Sequence, residues 1–222
     1  MEATSIGRTT NGEGAAAEHR APAIDERGVM PPIAPPIADP APLGLAAFAL
    51  TTFVLSFFNA GLVSGNGLPV VLGLALAYGG IAQLLAGLWE FRNNNTFGAT
   101  AFTSFGAFWI SWFVLEQFEA TKISPAHLGD AAGLYLIAWG IFTTYMWIAS
   151  FRVSVAVNLV FLLLAATFLV LGIGEASATE SIVKAGGWIG IATAVVAWYA
   201  SFASVTNKTF GHIVLPVREL KR

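Results

Sequence analysis

Six long apolar segments fill residues 43–206 and limit what this 222-residue chain can fold into. They lie at 43–62, 68–89, 98–118, 131–149, 153–173 and 184–206. Each is about as long as an α-helix must be to cross a hydrocarbon core of ~30 Å. Because a backbone in lipid has to satisfy its own hydrogen bonds, the segments predict an all-α integral membrane protein, a bundle of six transmembrane helices.

The composition excludes several other classes of protein. The chain is 56% hydrophobic and 11% charged, and its net charge of −2 gives no basis for binding nucleic acid. It has no cysteine, and its three histidines are not spaced as metal ligands. No Ser/His/Asp set, phosphate loop or pair of intramembrane carboxylates is present. We therefore expect no metal, no cofactor and no enzymatic activity.

Three regions differ in character along the chain. Residues 1–38 are polar and then Pro-rich, which predicts a disordered cytoplasmic tail with an extended spacer and no cleaved leader. Residues 39–217 are predicted to form the six-helix transmembrane domain. Residues 218–222 form a short C-terminal end, predicted to be cytoplasmic.

The cations between the spans predict the orientation. Placing both termini inside puts nine cations on the inner side: Arg8, Arg20, Arg27, Arg92, Arg152, Lys208, Arg218, Lys221 and Arg222. The outer side then holds only Lys122 and Lys184. Because cytoplasmic loops are enriched in Lys and Arg, both termini are predicted to be cytoplasmic.

Small and polar residues follow one face of several spans. On the first span, Phe48, Thr52, Ser56 and Asn59 fall within an arc of roughly 80°. The other stripes are Gly79, Gln83, Gly87 and Glu90 on the second span, and Thr100, Ser104, Ala107 and Ser111 on the third. Such faces suit a water-accessible route, and the predicted substrate pathway comprises Thr52, Asn59, Gln83, Glu90, Ser104 and Asn158. The alternative is structural, because hydroxyls often bond their own helix and small residues let helices pack closely.

A series of short motifs makes the prediction more specific. The motifs are residues 39–45 (Asp-Pro-Ala-Pro-Leu-Gly-Leu), 78–83 (Tyr-Gly-Gly-Ile-Ala-Gln), 86–90 (Ala-Gly-Leu-Trp-Glu), 95–98 (Asn-Thr-Phe-Gly), 100–106 (Thr-Ala-Phe-Thr-Ser-Phe-Gly) and 214–216 (Val-Leu-Pro). In this order they resemble the acetate uptake transporter family, which includes succinate–acetate permeases and fungal ammonia-and-acetate exporters. The resemblance covers residues 39 to about 217.

The resemblance implies a six-helix protomer with its own substrate route, assembled as a homo-hexamer in the plasma membrane (the inner membrane of a bacterium). It implies an apolar constriction at Phe48, Phe105 and Leu164. Phe105 stands where the family usually has Tyr, and Asp39 where it usually has Asn. Gln83 and Glu90 match family positions linked to transport.

The predicted function is transmembrane transport of acetate and related short carboxylates, with succinate as a further candidate. A short carboxylic acid titrates near pH 4 and is an anion at neutral pH. Moving one charge against a negative interior costs about 2.3 kcal/mol per 100 mV, which a co-transported proton would cancel. Proton-coupled and channel-like transport both stay open. The alternatives are a non-transporting membrane scaffold and a channel for ammonium or small neutral solutes.

Overall fold

The computed structural model describes residues 37–220. All but two residues of the predicted N-terminal tail lie outside this part. The described part contains six helices long and apolar enough to cross a membrane. We label them α1 to α6 in chain order: Ala41–Asn59, Gly65–Arg92, Thr96–Lys122, Pro125–Ser150, Val155–Ala176 and Glu180–Phe210. The predicted all-helical, six-span architecture is confirmed.

The helix ends differ from the predicted ones in the second half of the chain. Span four was predicted to begin at 131, yet α4 begins at Pro125, where proline fits because a first-turn amide needs no helical partner. Span six was predicted at 184–206, yet α6 covers Glu180–Phe210. The apolar windows mark only the part of each helix that suits hydrocarbon, and these two helices continue into polar sequence at their ends.

Four helix pairs make most of the bundle: α1 with α6, α4 with α5, α5 with α6, and α2 with α3. Gly190 of α6 lies where an added Cβ would collide with Ser56 of α1 and come within 3.3 Å of Thr167 of α5. The hydroxyls of Thr167 and Thr193 join α5 to α6 over 3.1 Å. Gly190 therefore lets α6 pack closely against α1 and α5. Such close packing matters because hydrophobic burial gives no drive for helix association in lipid.

Two of the helices contain a π-helical turn. In α2 the turn covers Ala77–Ala82, directly before Gln83, and in α3 it covers Leu115–Glu119. Such turns insert a residue into an α-helix and change the direction in which the following side chains point. After the α2 turn, Gln83, Gly87 and Glu90 are all buried within the bundle.

Aromatic rings pack together inside the bundle, and aliphatic side chains form part of its outer surface. Phe105 packs against the rings of Phe48, Trp139, Phe142, Phe161 and Phe168. On α4, Leu134, Ile141 and Ile148 recur every seventh residue and are largely exposed. A face of this kind is compatible with lipid or with a neighbouring protomer, whereas a soluble protein would seldom expose it.

Candidate functional site

A small cavity lies in the middle of the bundle where α1, α2, α3 and α5 meet. Its volume is about 20 Å³, near the minimum needed to hold one water molecule. Four of the predicted site residues share its wall: Phe48, Gln83, Phe105 and Leu164. We call this space the buried cavity. None of the described residues that line it is charged.

The three residues of the predicted constriction meet at this cavity. The ring centroids of Phe48 and Phe105 are 6.0 Å apart, with the ring planes tilted by 51°. Leu164 of α5 lies on the same wall, and all three side chains are almost fully buried. A solute with more than one heavy atom can cross this point only if these side chains separate.

Gln83 is the polar group of the cavity wall. It is 1% exposed, and its Oε1 has no hydrogen-bond partner among the described residues. Thr52, one turn beyond Phe48 on α1, is also buried, and its Oγ1 has no hydrogen-bond partner among the described residues. Buried polar atoms nearly always have partners, and one without a partner needs an explanation such as water or ligand.

Glu90 lies at the end of α2 and is fully buried. Its Oε2 accepts a hydrogen bond of 3.3 Å from Asn93 Nδ2, while its Oε1 has no hydrogen-bond partner among the described residues. An added Cβ at Gly98 would lie 2.8 Å from the Glu90 carboxyl carbon. The carboxylate and Asn95 Nδ2, which is 2.6 Å from the same Cβ position, therefore share the space that this glycine leaves at the start of α3.

A second, much larger cavity opens at the end of the bundle where α1, α3 and α5 begin. Its volume is about 1130 Å³, and we call it the vestibule. The residues that cap these three helices all line it. Asp39 accepts from the amide of Ala41 (3.0 Å), Asn95 from Gly98 (3.1 Å) and Ser154 from Val157 (3.2 Å).

Three helix N-termini therefore converge on one space. Each carries a partial positive charge from the helix dipole, which favours anions nearby. The vestibule also contains ionisable side chains of both signs, namely Asp39, Arg152 and Glu219. An anionic solute would meet a favourable field at this mouth, although the capping side chains already use part of it.

The C-terminal segment, residues 214–220, forms one side of the vestibule. Asn207 of α6 holds its start: Nδ2 donates to the Leu215 carbonyl, and Oδ1 accepts from the amides of Val214 and Leu215, all within 2.9 Å. Its end pairs with the α4–α5 connection, where Leu220 N donates to Val153 O over 3.1 Å. The Val-Leu-Pro motif at 214–216 marked this segment in the sequence, but nothing there indicated its pairing.

Of the six predicted pathway residues only Gln83 lines a cavity, and the other five, Thr52, Asn59, Glu90, Ser104 and Asn158, line neither. Asn158 donates to Ser150 Oγ over 2.8 Å and so joins α5 to the end of α4. Asn59 is half-buried at the far end of α1, and Ser104 is half-buried on α3. On α3 the buried face carries Phe102 and Phe105, so the stripe that contains Ser104 turns partly outward. The pathway roles of Asn59, Ser104 and Asn158 stay predictions.

Sequence reasoning missed several apolar residues of the cavity walls. Leu45, Ala101, Phe102, Val160 and Phe161 line the buried cavity beside the predicted residues. Alone, each has the appearance of an ordinary core side chain. Only the meeting of four helices distinguishes them from other buried apolar groups.

Comparison with known proteins identifies the family. A family model described as the GPR1/FUN34/yaaH family matches residues 25–222. The chain belongs to this family. The acetate permease A of Emericella nidulans is a GPR1/FUN34/yaaH relative, 42% identical over 195 residues, which cover 81% of this chain and 65% of the relative.

A bacterial relative resembles almost the whole transmembrane part. The succinate-acetate/proton symporter SatP of Escherichia coli K12 is 37% identical over 183 residues, covering 82% of this chain and 96% of SatP. A solved structure, entitled the bacterial acetate channel SatP, superposes with a TM-score of 0.76 at 37% identity over 82% of this chain and 99% of that one. The predicted family, fold and class, a transporter and not an enzyme, are confirmed.

Proposed function

We propose that this protein carries acetate and related short carboxylates, with succinate as a further substrate, across a membrane through a pathway within each protomer. The observation that carries the proposal is the uncharged buried cavity, which one amide and eight apolar residues line. A large vestibule on one side of it opens to bulk water. The names of two relatives, an acetate permease and a succinate-acetate/proton symporter, support the choice of substrate.

The lining of the cavity favours passage of the protonated acid. A bare carboxylate in an apolar space without a cation or several donors loses several kcal/mol of hydration free energy. The acid has no net charge, and its hydroxyl can donate to Gln83 Oε1, the acceptor that has no partner among the described residues. Proton and substrate would then cross together. Transport would be driven by acidity outside and by the substrate gradient.

Each predicted residue has a role in this proposal. Phe48, Phe105 and Leu164 form the apolar constriction, and Gln83 and Thr52 contact the carboxyl group as it passes. Glu90 lies beside the vestibule, because its partner Asn93 lines that space. Asn59 and Ser104 are proposed to contact substrate farther along the pathway. Asn158 is proposed to shape the inner end, since it ties α4 to α5.

We further propose that the vestibule faces the cytoplasm and that the protein is a homo-hexamer in the plasma membrane. Arg92 and Arg152 lie at the vestibule end of the bundle, as the positive-inside rule requires. The exposed apolar ridge of Leu134, Ile141 and Ile148 on α4 offers surface for lipid or a neighbouring protomer. The hexamer rests on the family resemblance, and native mass spectrometry of detergent-extracted protein tests it.

The test of function is uptake by proteoliposomes that contain the purified full-length chain. Labelled acetate should accumulate under an inward proton gradient, and a protonophore should abolish the accumulation. Unlabelled succinate should compete, and ammonium should not. Liposomes with denatured protein provide the background, because acetic acid also crosses lipid unaided. Uptake no faster than that background would contradict transport and favour a scaffold role.

A further inference from the structure

One side chain separates the two cavities of the bundle. Leu45 of α1 lines both the vestibule and the buried cavity, and it is almost fully buried. It lies about one helical turn before Phe48, toward the vestibule. The barrier between the two spaces is therefore distinct in sequence and position from the Phe48–Phe105–Leu164 constriction.

Each cavity that Leu45 lines also has one aromatic ring on its wall, and these two rings contact each other. Phe97, in the first turn of α3, lines the vestibule, and Phe161 of α5 lines the buried cavity. Their ring centroids are 5.0 Å apart with the planes at 61°, an edge-to-face contact. Rings at this distance are in van der Waals contact, so no carboxylic acid fits between them.

Neighbouring residues of α3 lie on either side of the same barrier. Thr100 lines the vestibule, whereas Ala101 lines the buried cavity. Two adjacent residues of one helix thus line two different spaces, one of about 1130 Å³ and one of about 20 Å³. A solute that enters from the vestibule must displace this barrier before it reaches Gln83.

We propose that Leu45, Phe97 and Phe161 form an inner gate, in series with the constriction at Phe48, Phe105 and Leu164. The inference deepens the proposed function and rests on it for the identity of the solute. Phe161 also touches Phe105, with ring centroids 6.0 Å apart. One ring thus belongs to the inner gate and packs on the constriction, so opening one barrier disturbs the packing of the other.

The inner gate governs access, whereas the constriction governs which solute passes. Removing a ring from the gate should open the buried cavity to the vestibule. The size preference for substrates should change less than it does when Phe48 is shortened, because the narrow point formed by Phe48, Phe105 and Leu164 is still present.

Thiol accessibility tests the gate directly, since the chain has no native cysteine to remove. Ala101→Cys reports on the buried cavity, and Thr100→Cys is the matched control in the vestibule. A membrane-impermeant methanethiosulfonate reagent is applied to the vestibule side of vesicles of one orientation. We expect Thr100→Cys to react at least tenfold faster than Ala101→Cys. Adding Phe97→Ala or Phe161→Ala should raise the rate of Ala101→Cys at least tenfold and leave that of Thr100→Cys unchanged.

Two results would overturn the gate. Ala101→Cys reacting as fast as Thr100→Cys in the otherwise unchanged protein would mean that no barrier separates the cavities. No acceleration by Phe97→Ala, Phe161→Ala or Leu45→Ala would mean that other residues form it. Phe97 is only half-buried, so its variant should fold even if Phe161→Ala does not. Labelling uses no acetate, so gated labelling without acetate uptake supports the gate and contradicts only the proposed function.

Discussion

The rings of Phe48 and Phe105 meet at the wall of the buried cavity, with 6.0 Å between their centroids. They come from α1 and α3, two helices that are far apart in the sequence. With Leu164 they leave about 20 Å³, enough for one water at most. Each passage of a two-carbon acid must therefore move at least one of these side chains, and their size should set the largest solute that passes.

Shortening the constriction should widen selectivity. In Phe48→Ala and Leu164→Ala, we expect uptake of succinate relative to acetate to rise about tenfold, a typical effect of one or two methylenes on discrimination. Proteoliposome uptake of the two labelled acids gives the ratio. Phe53→Ala, which removes an equal ring from α1 where it packs on Phe57 and Trp198, is the control and should leave the ratio alone. If the ratio of succinate to acetate uptake is unchanged in both variants, Phe48 and Leu164 do not form the constriction.

Replacing the amide of the cavity should separate transport from stability. Gln83→Leu removes a buried oxygen that has no partner among the described residues. Apolar replacement of such a group is close to neutral for folding or stabilises it by up to about 1–3 kcal/mol. We expect acetate uptake to fall at least tenfold while the melting temperature in detergent stays level or rises.

The control for Gln83 is Thr143→Val. The Thr143 hydroxyl bonds the Trp139 carbonyl of its own helix, away from both cavities. Uptake by this variant should be close to that of the unchanged protein. If Gln83→Leu instead lowers the melting temperature and uptake together, the amide is structural and the substrate contact is wrong.

The close contact between Gly98 and Glu90 predicts a coupled pair. Gly98→Ala places a Cβ 2.8 Å from the carboxyl group of Glu90, inside van der Waals contact. Overpacking of this kind usually destabilises by about 1–3 kcal/mol. Asn95 Nδ2 lies still closer to that Cβ, at 2.6 Å, so in a Glu90→Ala background the cost should fall only in part, which a double-mutant cycle of thermal stability would measure as coupling.

Gly73→Ala is the matched glycine control for this cycle. An added Cβ at Gly73, also helical, meets nothing within 4 Å. Alanine should be tolerated there or should stabilise α2 by up to about 1 kcal/mol, as alanine is the better helix former. Equal cost of Gly98→Ala with and without Glu90 would show that the two residues do not compete for space.

Loosening the C-terminal segment should be visible without any transport assay. Asn207→Ala removes three hydrogen bonds to Val214 and Leu215, each worth about 0.5–1.5 kcal/mol net. Hydrogen exchange should accelerate across residues 214–220, including the Leu220 amide that pairs with Val153. Lys208→Ala, one residue away and exposed, should leave the exchange unchanged. If the amides of residues 214–220 stay protected from exchange in Asn207→Ala, contacts other than those of Asn207 hold this segment in place.

Much of the architecture follows from the sequence because lipid allows so few solutions. Apolar length predicted all six spans. The helix ends were harder to predict from the sequence. Pro125 and Glu180 begin helices in polar sequence, where hydropathy does not mark the boundary.

The site was only partly predictable. Gln83 stood out because an amide is costly to bury in a membrane span. Phe48, Phe105 and Leu164 entered through the family resemblance alone, since each would otherwise count as core. Leu45 and Phe97 lie within two of the sequence motifs but received no role, and Phe161 gave no signal, because an apolar side chain becomes part of a barrier only through the helices that surround it. The stripe containing Ser104 is only half-buried, because α3 buries its Phe102 and Phe105 face, and the pathway role of Ser104 stays a prediction.

The pairing of Leu220 with Val153 has a practical consequence for fusion proteins. A fluorescent reporter joined just beyond this point is tethered beside the vestibule, the proposed opening for solute at this end of the bundle. Its bulk would crowd that opening and slow turnover, even in molecules that reach the membrane correctly folded. The fluorescence of cells would then overstate the transport activity. A long flexible spacer between the chain and the reporter should restore the agreement between fluorescence and transport.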